Sequence, residues 1–161
     1  MRSSFLLAAF SILIFTSMES CMGSKLARQL KWHQSELKRA AESNLTPGEK
    51  LDILLESVTK MMDESLQPLN PEKSVKYVQK YINQNDVYVK QILKDVGKWQ
   101  ENMSPFQTIQ YGLSLQKKPF IETFIDTLPK FEKKYRQYAF ALNFINDIRG
   151  SMMKFGENIF K

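Results

Sequence analysis

Leucine, valine, isoleucine and methionine recur along this chain at intervals of three and four residues, the spacing that gathers one face of an α-helix. A first stripe, over about 24–43, contains Leu26, Leu30, Leu37, Ala40 and Ala41. A second, over about 47–66, contains Leu51, Leu54, Leu55, Val58, Met61, Met62 and Leu66. A third, over about 71–101, contains Val75, Val78, Ile82, Val89, Ile92, Val96 and Trp99. The fourth opens at Pro105 with Phe106, Ile109 and Leu113, and the last, about 130–149, has Phe131, Tyr135, Tyr138, Leu142 and Ile145.

The punctuation between stripes is that of helix starts. Thr46-Pro47-Gly48-Glu49 has a capping threonine, a proline at the first helical position and a glutamate at the third. This capping box satisfies backbone N–H groups that have no partner inside the helix. Ser104-Pro105-Phe106-Gln107 repeats it with glutamine, and Asn70-Pro71-Glu72 is a third start. Pro119 and Pro129 interrupt helical pattern, so a break or kink is expected near each. With only 6 Gly and 6 Pro, the chain lacks the frequent turns of a sandwich or barrel. The expectation is an all-α fold, an irregular antiparallel bundle of four to six helices joined by short connections.

The first residues belong to a different pattern. Arg2 precedes an apolar run, Phe5–Phe15, that is too short for the roughly 20 residues a bilayer span needs. Its proportions are those of a secretory signal. The only cysteine, Cys21, closes the segment. Ser17-Met18-Glu19-Ser20-Cys21 resembles the lipobox of bacterial lipoprotein precursors, with Ser20 at the small position before the cysteine and Glu19 departing from the pattern. The resemblance covers residues 1–21 and implies a processing route. Residues 1–20 would be removed as a signal peptide, the Cys21 sulfur would carry a diacylglycerol, and residues 21–161 would form one domain tethered to a membrane. Ordinary cleavage after Ser20 or Gly23 is the first alternative, and a retained hydrophobic anchor the second.

Charge adds one candidate surface. The net charge is +6, which suits an anionic partner without choosing one. It survives processing, because Arg2 and Glu19 leave together. On the first helix, Lys25, Arg28, Trp32 and Arg39 fall within about 60° of one another at 100° per residue. A tryptophan among cations, beside a lipid anchor, suits contact with a membrane surface; a solvated basic face is the plainer reading.

Other features have structural explanations close to hand. His33 lies on the first apolar stripe and reads as a half-buried structural histidine. Asn85 falls on the third stripe, where it either fixes helix pairing or belongs to a break at Asn83-Gln84-Asn85-Asp86; the break is the reading taken. Phe120, Phe124, Phe131, Tyr135, Tyr138, Phe140, Phe144, Phe155 and Phe160 are dense enough to line an apolar cavity, but more simply form core. Lys117-Lys118 and Lys130, Lys133, Lys134 and Arg136 imitate a nucleic-acid surface in composition, which export argues against. Asn44-Leu45-Thr46 and Asn102-Met103-Ser104 match a glycosylation acceptor pattern that matters only for a eukaryotic source.

No nucleophile motif, phosphate loop or metal-ligand spacing is present in the sequence, and nothing in it calls for a cofactor or a metal. The expectation is a non-catalytic, membrane-tethered helical lipoprotein, facing the periplasm or cell exterior. It would act through protein contacts in the envelope, with no nucleic acid among its partners. The alternative is a secreted carrier that holds an apolar ligand in an aromatic-lined cavity.

Overall fold

The computed structural model describes residues 23–67, 70–156 and 159, and there are six α-helices among these described residues. They are α1 (23–42), α2 (Pro47–Ser65), α3 (Pro71–Glu101), α4 (Pro105–Gln116), α5 (Pro119–Lys134) and α6 (Ala139–Met153). The proposed signal and Cys21 lie outside the described residues. Both capping boxes form: Thr46 accepts from the Glu49 amide while Glu49 accepts from the Thr46 amide, and Ser104 and Gln107 do the same. Asn70 caps α3 through the Glu72 amide.

Cross-links between helices give their directions. Lys50 pairs with Asp95, Ser57 bonds Tyr81 and Glu64 bonds Tyr77, so α2 and α3 run antiparallel. Asp52 meets Lys118 and Ser65 meets Lys134, so α5 lies along α2 in the same direction. Tyr81 meets Phe144 edge-to-face, and Gln100 bonds the Ser151 carbonyl, so α6 likewise follows α3. Two helical hairpins, α2–α3 and α5–α6, are therefore docked side by side. α4 crosses one end of the bundle from the close of α3 to the start of α5, and α1 lies against α2 and α3. The core between them includes Leu37, Leu51, Leu54, Leu55, Val58, Met61, Val78, Ile92, Phe124, Phe131, Ile145 and Ile148, all without solvent exposure.

Two expectations change and two features are refined. The helix expected over 130–149 is two helices, with a turn at 135–138. That turn, Tyr135-Arg136-Gln137-Tyr138, contains no Gly or Pro, and buried Tyr135 keeps the apolar rhythm running through it. The break expected at Asn83–Asp86 does not occur, since α3 is continuous. Asn85 is buried there and donates from Nδ2 to the Tyr81 carbonyl, while its Oδ1 has no hydrogen-bond partner among the described residues. Pro119 begins α5, but Pro129 sits inside that helix without ending it. Pro129 is on the exposed face, where its missing N–H forfeits one backbone bond without disturbing the core. Finally, the fourth stripe faces outward: Phe106, Ile109 and Leu113 are 70%, 62% and 56% exposed. Among the described residues, no helix is long and apolar enough to cross a membrane.

Candidate functional site

Three places combine side chains in ways that packing alone does not require. The first is a buried polar chain around His33, which has no solvent exposure. Its Nδ1 lies 2.8 Å from Ser57 Oγ, and Ser57 Oγ lies 2.8 Å from the Tyr81 hydroxyl. Its Nε2 lies 3.1 Å from Glu64 Oε2, which also accepts from the Tyr77 hydroxyl. With the imidazole proton on Nε2, every donor has an acceptor. Tyr81 donates to Ser57, Ser57 to His33, and His33 and Tyr77 both donate to Glu64. Burial first, and the neighbouring Glu64 second, push the Tyr77 phenol well above its ordinary range; burial does the same for Tyr81. Serine, histidine and glutamate in hydrogen-bonded order have the composition of a hydrolytic triad. However, Ser57 has no exposure, so no substrate carbonyl reaches its hydroxyl in this arrangement. The chain fastens α1 to α2 and α3.

The reading of His33 as structural thus gains its partners, which the sequence analysis did not identify. The signal was weak: Ser57 and Glu64 are two turns apart on one side of α2, beside the apolar stripe rather than on it. A second serine arrangement has the same character. Lys134 Nζ donates to the Ser65 carbonyl and to Ser74 Oγ, 3.2 Å away, and burial lowers its pKa. Ser74 is fully buried, and the lysine ties the end of α2 and the start of α3 to α5.

The second place is the outer surface of α1. Of the residues expected at a membrane surface, Lys25 is exposed and Arg28 donates from Nε to the Ser24 carbonyl. Trp32 is 41% exposed, with Lys60 Nζ 4.2 Å from its ring centroid and His33 packed on its edge. Arg39 is paired with Glu36 at 2.8 Å. The four are therefore divided: Trp32 lies on the α2 flank, while Arg28 turns toward α3. There it lines a groove of about 310 Å³ with Ala27, Leu30, Lys31, Gln34, Lys80 and Gln84.

The third place is α4. Its twelve residues, PFQTIQYGLSLQ, contain no charge. Gly112 and Leu115 are buried, and Gly112 is required where it stands. A Cβ there would meet the Phe155 carbonyl oxygen at 2.4 Å. Inside, Trp99, Tyr111 and Phe155 form a packed trio with ring centroids 4.5–5.5 Å apart. Outside, Phe106, Ile109 and Leu113 make an apolar row. The aromatic residues considered as a cavity lining are mostly core: Phe124, Phe131 and Tyr135 have no exposure, and the last two rings are 4.5 Å apart.

No group of three or more His, Cys, Asp or Glu that could hold a metal ion occurs among the described residues. No protein-family model, curated protein or solved structure matches this chain.

Proposed function

We propose that this chain is a non-catalytic helical lipoprotein, held at a membrane through Cys21, whose working surface is α4 and whose partner is another envelope protein. The exposed row Phe106, Ile109 and Leu113 carries the reading. A charge-free helix with three large apolar side chains in water is suited to an apolar helix or groove on a partner, because no ionic group must be desolvated on docking.

The placement of the two ends supports a protein rather than a lipid as occupant. α1 meets α2 through Trp32–Lys60 and His33–Glu64, and a short connection at 43–46 joins them. The beginning of α1 therefore lies toward the far end of α2, and α4 lies beside its near end. The 19 residues of α2 separate them by about 28 Å at 1.5 Å per residue. A tether at Cys21 would hold the first end at the bilayer and present α4 away from it.

Two measurements on natively processed protein test this. The intact mass of the membrane-extracted chain, beside a Cys21→Ala version, is expected to show a start at Cys21 with added acyl mass that the variant lacks. A photo-reactive residue at position 109 is expected to give one discrete protein adduct in cells, and the same residue at exposed position 94 none. An unmodified chain released to the medium would sink the tether, and equal labelling from both positions would sink α4 as the working surface.

A further inference from the structure

We infer that the partner of α4 is a second copy of this chain, docked about a twofold axis that crosses the helix near Ile109; this rests on α4 being the working surface and names its occupant. A twofold contact must be self-complementary, because whatever residue i offers residue j, residue j offers in return. α4 meets that condition in shape. At 100° per residue, Phe106 and Leu113 lie about 20° apart, with Ile109 between them along the helix. The Phe106 end carries a projecting, exposed ring. Beside the Leu113 end lies a recess of about 150 Å³, lined among the described residues by Ile109, Gly112, Leu113, Gln116, Phe155 and Ile159. A space of that order admits a benzene ring.

Ring and recess are two turns apart on one helix, about 10 Å by helical rise. An antiparallel pair of α4 helices centred on Ile109 sets each Phe106 opposite Leu113 of the second copy. Both rings then enter recesses at once, and the two Ile109 side chains meet near the axis.

Charge directs the choice of occupant. The chain has a net charge of +6, and its outer faces on α1 and α5 expose Lys31, Lys38, Lys130 and Lys133. Two copies meeting there would set like charges together, which is costly at an interface. α4 has no charge of its own, so two cationic chains can meet on it without opposing ammonium groups. Its flanks add attraction. The antiparallel pair brings exposed Lys117, just past the end of one α4, toward exposed Glu101, just before the start of the other. It also sets the negative end of each helix dipole beside the positive end of its neighbour. The three exposed side chains offer roughly 300 Å² of apolar surface per copy, against about 800 Å² per partner in a standard interface. The pair therefore belongs to the transient class and forms with rising concentration.

The test uses natively processed chain in detergent, as an equal mixture of heavy- and light-isotope copies with a photo-reactive aromatic residue at position 106. Adducts between heavy and light copies are expected, growing with concentration and mapping to 112–116 or 155 of the second copy. The same probe at exposed position 94 should give none. Ile109→Lys alone, or Ile109→Asp alone, should lower the yield about 10-fold by setting like charges across the axis. One copy of each should restore it to within about twofold of the parent. Adducts that join 106 to 106 would overturn the antiparallel register. A mixture as poor as the single variants would overturn the axis at Ile109. In cells, adducts to a different protein with none between copies would overturn the second copy as occupant and leave α4 as the working surface. Equal labelling from 106 and 94 would sink α4 itself.

Discussion

α1 and α4 each lie against the bundle with one side in solvent, yet they divide their residues in opposite ways. α1 buries Leu26, Leu30, His33, Leu37 and Ala40 and turns its cations outward. α4 buries little beyond Gly112 and Leu115 and turns its largest side chains to water. The first helix is fastened by both packing and a buried hydrogen-bond chain. The second is held by a close backbone approach and one aromatic trio. A helix whose apolar residues serve stability shows them inside; α4 leaves that stabilisation unused, and such a departure from local consistency is where function is to be sought.

The comparison breaks most directly at His33. His33→Ala should cost about 3 kcal/mol in chemical denaturation, because it removes buried volume and leaves Ser57 and Glu64 short of a partner. Lys31→Ala on the outer face of the same helix should cost less than about 0.5 kcal/mol. A small loss at His33 would mean that the chain does not fasten α1. Gly112→Ala comes next, at about 1–3 kcal/mol, since its methyl group must displace the Phe155 carbonyl. The fluorescence of Trp99, packed in the same trio, should change with it.

Alkaline pH probes the buried phenols on both sides of the comparison. Burial holds Tyr77, Tyr81, Tyr111 and Tyr135 above their ordinary value of 10.0. Above that pH the unfolded chain releases protons that the folded chain keeps. Stability is therefore full below pH 10 and declines as pH rises beyond it, by about 1.4 kcal/mol per pH unit for each phenol. The phenolate absorbance of these four should rise together with the loss of helical circular dichroism; their ionisation in a chain still folded would contradict the burial. Smallest of all in stability is the outer row of α4. Phe106→Ser, Ile109→Ser and Leu113→Ser should each stay within about 0.5 kcal/mol of the parent, while abolishing the adduct formed at α4. For that test the photo-reactive residue sits at exposed Gln110.

Much of the fold was legible from local chemistry. Thr46, Asn70 and Ser104 mark helix starts because capping is a contact between residues two or three apart, so the sequence contains both partners. The turn at 135–138 escaped because neither Gly nor Pro marks it and Tyr135 is buried on the expected face. The outward row of α4 escaped for another reason. Periodicity tells that Phe106, Ile109 and Leu113 share a face, but not whether that face meets the core or a partner. The His33 chain depends on residues 24, 31 and more positions away, brought together only by the packing of α1 on α2 and α3. The α1–α3 groove likewise needs Lys80 and Gln84, which no pattern within α1 foretells.

The crossover made by α4 has a kinetic consequence. Each hairpin has its own short turn and forms from contacts near in sequence, whereas their parallel docking requires the chain to cross the end of the bundle between them. With few buried side chains of its own, α4 is expected to open below the free energy of global unfolding and to exchange its amide hydrogens before α2 and α3 do. Its exposed face would then be offered on the least protected helix of the bundle, able to adjust to a partner while the two hairpins stay closed.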